Sequence, residues 1–382
     1  MDNIIAALER TDRVFLIEHS DVSSSDMEII LAAMQKPFPK LENMWFWVND
    51  ETVLAIPDSF LGGSAPRLEH FSLSRIPFPG LPKLLLSATQ LVNLHLDYIP
   101  HSGYISPDAM ATALSTLTRL IQFQLGFIST RSCPDRETRR PPPSTRYVLP
   151  VLRHFYFNGV SEYSEDLVAR IDAPQLNCFE ISFSNDIVID TSQLFQFINR
   201  TPKLKALDTA HINILKLFAR VKFSSQALRD WRTLVVVDVL CKGLDWQLSS
   251  LEQVCTSCLP PHSMLENLYF YEIPRAELAV WMYNIDNGRW LDLFRSFSAV
   301  KNLYLSEKAA SCIAPALQEV AEGRTAEVLP TVLPALQNIF LKWLDMESSG
   351  PVQEGIGQFV AARQVVGHSI AVSCWTNYSS GL

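Results

Sequence analysis

Between Pro334 and Leu344 the chain reads PALQNIFLKWL, placing Leu336, Ile339, Leu341 and Leu344 at i, i+3, i+5 and i+8. The i+3 and i+5 positions alternate with polar or aromatic neighbours, the period-two pattern of a strand with one buried face. The leading Leu, usually preceded by a Pro two residues earlier, packs the corner by which the chain enters that strand. The same frame recurs upstream as Leu41, Met44 and Phe46, then Leu68, Phe71, Leu73 and Ile76, then Leu91, Leu94, Leu96 and Ile99. It continues as Leu120, Phe123, Leu125 and Ile128, then Leu152, Phe155, Phe157 and Val160, then Leu176, Phe179 and Ile181, then Leu204, Leu207 and Ile212. Leu265, Leu268, Phe270 and Ile273 resume it, followed by Val300, Leu303 and Leu305.

Leading residues are spaced mostly by about 23 to 36 positions, the range of leucine-rich and related solenoid repeats. The interval from Leu204 to Leu265 is about double. A degenerate repeat is expected there, with Thr233–Cys241 (TLVVVDVLC) as its strand. Met1–Arg10 reads as a helix and Arg13–Glu18 as a short strand. Asp26 is placed to cap a second helix carrying Met27, Ile30, Leu31 and Met34, which Pro37 stops. Pro107–Thr116 and Ser192–Arg200 read as further helices, whereas Ser74–Leu86, with its three prolines, is too punctuated for regular helix. Arg131–Arg146 (RSCPDRETRRPPPSTR) has almost no apolar content and reads as a solvated loop insertion, with a basic docking peptide as the alternative. Gln353–Val366 has a helical pattern and Ser369–Trp375 that of a strand, so residues 353–375 are expected to cap the end of the array.

The fold class expected is therefore α/β: a single irregular leucine-rich-repeat-like solenoid over residues 1–382, a curved parallel sheet with helices and loops on its convex side. The Asn usual after the strand of regular leucine-rich repeats is mostly missing, so the turns must satisfy their backbone groups in another way. Residues at i+2, i+4 and i+6 point away from the core. They are Trp45 and Trp47, His70, then Asn93, His95 and Asp97, then His154, Tyr156 and Asn158, and further on Glu180, Asp208, Tyr269, Tyr271, Tyr304, Phe340 and Lys342. Exposed aromatics at regular intervals have the composition of protein-recognition hot spots. The candidate protein-binding residues are Trp45, Trp47, His95, Asp97, His154, Tyr156, Tyr269, Tyr271, Tyr304 and Phe340. The other reading is that connections fold over this face or that the rings only pack against each other.

Composition narrows the partner class. The chain is 48% hydrophobic and 19% charged, enough apolar content for a large core, and its net charge of −8 disfavours nucleic-acid and anionic-membrane surfaces. No basic leader with an apolar core opens the chain and no apolar run of membrane-spanning length occurs, so a cytoplasmic or nuclear protein is expected. Seven cysteines without regular spacing fit reduced thiols. No nucleophile elbow, phosphate-binding glycine loop, zinc-protease helix or dinucleotide fingerprint is present. The one metal-like group is Cys255 and Cys258 with His262 and, upstream, Cys241. Four such ligands suit zinc, but ordinary thiols are the preferred reading, so no metal, cofactor or enzymatic activity is expected.

Leu244–Pro261 (LDWQLSSLEQVCTSCLPP), Leu265–Tyr271 (LENLYFY), Ala299–Lys308 (AVKNLYLSEK) and Gln353–Trp375 (QEGIGQFVAARQVVGHSIAVSCW) resemble segments of the large F-box and leucine-rich-repeat-like families of mushroom-forming basidiomycete fungi. The resemblance covers nearly the whole chain and is strongest in its second half. It implies substrate reception, in which an N-terminal F-box engages the Skp-type adaptor of a cullin ubiquitin ligase and the repeats hold a target protein. An F-box is a compact three-helix block beginning with Leu-Pro. Nothing ahead of the first repeat resembles one, and Met1–Arg10 is too short. The F-box is then expected to have been lost or to lie upstream of this start. The expected function is protein binding, either as the receptor region of a ubiquitin ligase or as a free-standing scaffold or decoy, with a zinc-dependent or hydrolytic enzyme as a third reading that rests only on the Cys255 group.

Overall fold

Most strands of the parallel part of the chain are entered through the same turn. The amide of the leading Leu donates to the carbonyl three residues back, from Leu41 to Phe38, Leu68 to Ala65, Leu91 to Ala88, Leu120 to Leu117 and Leu176 to Ala173. The next two amides then share one carbonyl of the preceding repeat. Glu69 and His70 both donate to Glu42, Val92 and Asn93 to Glu69, Ile121 and Gln122 to Val92, and Arg153 and His154 to Ile121. This sharing satisfies the turn without a recurrent side-chain cap. A computed structural model describes residues 2–48, 55–128, 145–184, 191–214, 218–225, 234–240, 244–258, 265–271, 286–322, 332–342 and 350–375. They form two compact units, the first running to Lys205 and the second from Ala206.

In the first unit the elements follow as α1 (Asp2–Leu8), β1 (Leu16–Val22), α2 (Ser24–Ala33), β2 (Asn43–Val48), β3 (His70–Ser74), α3 (Leu81–Leu85), β4 (Asn93–Ile99), α4 (Pro107–Leu114), β5 (Gln122–Phe127), β6 (Tyr147–Val148), β7 (His154–Gly159), α5 (Ser161–Val168), β8 (Ile171–Asp172), β9 (Cys178–Phe183) and α6 (Ser192–Arg200). Strands β1, β2, β3, β4, β5, β7 and β9 lie side by side in that order, each neighbouring pair parallel, while β6 and β8 make a separate two-stranded ribbon. Their register stacks identical frame positions. Met44, Phe71, Leu94, Phe123, Phe155 and Phe179 make one buried row, and Phe46, Leu73, Leu96, Leu125, Phe157 and Ile181 the next. The leading leucines are buried as well. Each such side chain contributes about 1.5–3 kcal/mol of gross burial energy. Phe123, Phe155 and Phe179 stack at 5.1 and 5.2 Å.

Several local expectations are corrected. The first strand begins three residues later than Arg13. Ser23, not Asp26, caps α2, its Oγ accepting from the Asp26 amide at 3.2 Å. Ser74–Leu86 does contain a short helix, because Pro82 sits in the first turn of α3, where a missing N–H costs nothing. Ile128 is 54% exposed, and the neighbouring Phe127 takes the core place. Most of the Arg/Pro-rich insertion, residues 131–144, lies outside the described residues.

The second unit follows as β10 (Thr209–Ile214), β11 (Phe218–Ser224), β12 (Leu234–Leu240), α7 (Leu244–Cys258), β13 (Asn267–Phe270), α8 (Asn287–Arg295), β14 (Asn302–Leu305), α9 (Glu307–Ala321), β15 (Asn338–Leu341), α10 (Pro351–Val365) and β16 (Ala371–Cys374). From β10 through β13, β14, β15 and β16 the pairing is parallel. On the other side of β10 the pattern changes. β11 is antiparallel to β10, and β12 is antiparallel to β11. Thr233–Cys241 is thus not the strand of a hidden parallel repeat. It ends a meander whose middle strand, FARVKFS, buries Ala219, Val221 and Phe223 in strict alternation. Antiparallel neighbours need only a short connection, so two strands fit where one crossover repeat was expected. A bidentate pair, Arg220 to Asp238 at 2.7 Å for both bonds, crosses its outward side.

The parallel parts of both units are α/β and leucine-rich-repeat-like, irregular in repeat length and helix content. Helix α10 buries Ile356, Phe359 and the fully buried Arg363, which donates to the carbonyls of Leu333 and Pro334 in the turn before β15. The side chains of β16 are mostly exposed. In the first unit a buried carboxylate does what a local cap does not. Thr191 makes no side-chain cap for α6, and Glu165 of α5, 2% exposed, instead accepts from the amides of Gln193 at 2.7 Å and Leu194 at 2.9 Å. A negative charge there also opposes the helix dipole. Replacing Glu165 by Ala is expected to cost about 2–4 kcal/mol in denaturant unfolding, because two helix-end amides lose a charged acceptor. Glu165→Gln, which keeps one acceptor oxygen, is expected to lose less.

Candidate functional site

The alternation that buries i+3 and i+5 turns the intervening residues to the opposite face of each sheet. In the first unit the parallel register lines them up across the strands. Glu18, Trp45, Ser72, His95, Gln124, Tyr156 and Glu180 occupy one row. Asn43, His70, Asn93, Gln122, His154 and Cys178 occupy the row before it. Trp47, Ser74 and Asp97 begin the row after it, which Asn158 continues beyond Gly126. Trp47 is 45% exposed, and Trp45, His95, Asp97, His154 and Tyr156 are half-buried. The candidate rings of this face are therefore partly open to solvent.

Neighbouring side chains order the lane. Asn93 and His70 share a 2.8 Å hydrogen bond between Nδ2 and Nδ1, and Trp45 stacks on His70 at 6.3 Å. Burial lowers the pKa of His95 even though Gln122 hydrogen-bonds its ring, so His95 is neutral at pH 7. Burial likewise raises Asp97, against hydrogen bonds from the Tyr98 amide and Gln124. This carboxylate stands in the space that a Cβ on Gly126 would need. The Tyr156 hydroxyl is held well above its ordinary value by burial, with Cys178 and Glu180 adding to the effect.

The second unit carries a ladder of rings. His211, Tyr269, Tyr304 and Phe340 are in register on β10, β13, β14 and β15, with centroids 4.7, 4.0 and 4.5 Å apart and nearly parallel planes. Tyr271 stacks on Tyr269 and His211. Trp375 stands across them edge-on at 5.9 Å from Tyr269, 6.3 Å from Tyr271 and 5.5 Å from Tyr304, with the Lys342 ammonium 5.9 Å from its own ring. All six rings are half-buried. Beside them Asn267, Asn302 and Asn338 form an amide ladder with bonds of 2.9 and 2.8 Å. Burial pushes the Tyr271 hydroxyl up to about 12. It pushes His211 down to about 4, with Lys222 adding to the effect.

The structure thus gathers Tyr269, Tyr271, Tyr304 and Phe340 into one cluster in the second unit and aligns Trp45, His95 and Tyr156 in one row of the first. Trp47 and Asp97 fall in the next row and His154 in the one before. Asp208 precedes β10, so the ring at that step is His211 instead. Reading Leu207 rather than Leu204 as the leading residue puts Ala210 and Ile212 at i+3 and i+5 and His211 at i+4, but an Ala in a core position hid the frame. The Asn ladder also had a signal: Asn43, Asn93, Asn267, Asn302 and Asn338 all stand two residues after the leading apolar residue. Of the zinc-like group, Cys255 is buried in α7, and Cys241 and His262 lie outside the described residues. Among the described residues no group of three or more His, Cys, Asp or Glu is placed to hold a metal, and no helix is long and apolar enough to cross a membrane. An open groove of about 640 Å³ between α3 and α4, lined by Lys83, Leu86, Ser106 and Asp108 among others, holds none of these residues.

No family model matches the chain, and no curated protein matches it. Among solved structures, the leucine-rich repeat-containing protein LegL7 from Legionella pneumophila is similar, at 11% identity over 90% of this chain and 96% of that chain, with a TM-score of 0.30. At that score the likeness carries no argument, and the repeat assignment rests on the register and turns described above.

The His211 pKa sets a pH dependence. A histidine at about 4 when folded and about 6.5 when unfolded takes up its proton first in the unfolded chain, so stability falls as pH drops from about 6.5 to about 4. His211→Phe, which keeps a ring in the stack, is expected to reduce that loss by about 1–3 kcal/mol. Urea unfolding of both proteins at pH 7 and pH 4.5 measures it.

Proposed function

We propose that the chain is a binding scaffold for other proteins and that the outward faces of its sheets are the contact surfaces. The observation that carries this reading is the ladder His211, Tyr269, Tyr304 and Phe340 with Tyr271 and Trp375: six aromatic rings, ordered by the sheet and partly open to solvent. Rigid aromatic side chains supply large contact area with little entropy to lose, which is why they dominate protein interfaces. Their mutual stacking fixes them before a partner arrives, so less ordering remains to be done on binding.

The finer reading draws on the resemblance to F-box proteins. It makes this chain the target-holding region of a ubiquitin-ligase receptor acting in the cytoplasm or nucleus, with a Skp-type adaptor and cullin as further partners wherever an F-box accompanies the repeats. The alternative is a free-standing scaffold or decoy that binds the same targets with no ligase role. Affinity purification of the tagged chain, with mass spectrometry of what it retains, separates the two. The wild type is expected to retain a partner that the combined Trp45, Trp47, Tyr269 and Tyr271 to Ala variant loses while its thermal unfolding stays within a few degrees. Adaptor and cullin in the retained set support the ligase reading, and their absence with the target still bound supports the scaffold. Unchanged retention by the variant rejects the assignment of the contact surfaces.

A further inference from the structure

The row that crosses the first sheet has a periodicity of its own. Its residues in strand order are Glu18, Trp45, Ser72, His95, Gln124, Tyr156 and Glu180. Rings therefore stand on every second strand, with a hydroxyl or an amide between them and a carboxylate at each end. Strands about 4.8 Å apart put successive rings about 9.6 Å apart. A polyproline II helix repeats every three residues, about 9.3 Å, so over the two steps from Trp45 to Tyr156 it drifts by only about 0.6 Å. The nearest whole-turn repeat of an α-helix, seven residues, advances about 10.5 Å and drifts about 1.8 Å over the same span. An extended strand repeats each face about every 6.7 Å and meets the rings out of phase.

Chemistry agrees with spacing. The polyproline II backbone makes no hydrogen bonds of its own, so its carbonyls need donors. Ser72 and Gln124 stand between the rings to supply them. Charge selects the flanks. The outward positions of the seven strands include Glu18, Asp97 and Glu180 and contain no lysine or arginine, and His95 adds no positive charge at neutral pH because burial keeps it unprotonated. The carboxylates of Glu18 and Glu180 stand six strand spacings apart, about 29 Å. Nine residue steps of polyproline II cover about 28 Å.

We propose that the outward face of the first sheet binds a proline-rich segment in the polyproline II conformation, laid across the strands and carrying a basic residue at each end. This rests on the binding-scaffold reading and names the class of partner for one of its faces. The rings of Trp45, His95 and Tyr156 take the proline faces, Ser72 and Gln124 reach the carbonyls, and Glu18 and Glu180 meet the terminal cations.

The test is a fluorescence-anisotropy titration of the full chain with three labelled ten-residue peptides. The first has arginine at each end of eight prolines, the second has the same ends around a Gly/Ser spacer, and the third is an alanine-rich helix of equal charge. The proline peptide is expected to bind at least tenfold more tightly than either control. Trp45→Ala and Tyr156→Ala are each expected to weaken it about tenfold or more, Glu180→Lys is expected to weaken it and flatten its salt dependence, and Val365→Ala on the exposed side of α10 is expected to leave it unchanged. Equal affinity for the three peptides, no measurable binding of the proline peptide, or indifference to Trp45→Ala and Tyr156→Ala in variants that keep the wild-type melting temperature would overturn the proposal. A chain that retains protein partners yet ignores the proline peptide leaves the scaffold reading standing and removes this one.

Discussion

The constraint on which the structure depends is the turn that admits most of the parallel strands. A buried leading residue fixes the corner, its amide closes on the carbonyl three residues back, and the next two amides meet one carbonyl of the repeat before. Glu266 and Asn267 donate to Asp208 in this way in the second unit, Lys301 and Asn302 to Glu266, and Gln337 and Asn338 to Lys301. An isolated turn would leave those amides unpaired, at a cost of about 1–3 kcal/mol each if buried. A repeat is therefore completed only by its neighbour, and the neighbour's carbonyl determines its register. A slip of one residue would carry Phe155 and Phe157 to the solvent face and Tyr156 to the core.

Register in turn produces the surfaces. Because the same frame position recurs at each step, whatever residue type stands at i+4 becomes a row across the sheet. In the second unit those residues are mostly rings, which close on each other at 4.0 to 4.7 Å. In the first they alternate in size, which leaves rings separated by smaller polar groups. The two faces thus differ in chemistry although one turn builds both. Where the chain leaves the frame, at the meander of β10, β11 and β12, pairing becomes antiparallel and an ion pair between Arg220 and Asp238 takes the outward side instead.

Much of this was legible in the amino-acid sequence, for a physical reason. Inward positions must be apolar and outward ones need not be, so period-two alternation behind a buried Leu marks a strand wherever the side chains are large. The frame from Leu68 to Leu176 and from Leu265 to Leu336 was readable on that basis, and so were the outward positions of Trp45, Tyr156, Tyr269 and Tyr304. Legibility failed where size failed. Ala210 and Ala219 occupy core positions that a search for large apolar residues passes over, which hid His211 from the ring ladder and β11 from the sheet. The shared carbonyl of the entry turn is a backbone feature with no side-chain signature, and the cap that Glu165 gives to α6 joins residues far apart in sequence. Trp375 reaches the ladder only because β16 is in register beside β15, which spacing alone does not announce.

The most direct test of this account is native-state hydrogen exchange by mass spectrometry, resolved to single amides by fragmentation. The paired amides of the entry turns, at His70, Gln122, His154 and Asn302, are predicted to exchange as slowly as the strand amides that follow them, since opening one requires parting two repeats. Exchange at these positions as fast as in exposed loops, with the strands still protected, would show that the turn does not hold the repeats in register and would contradict the account.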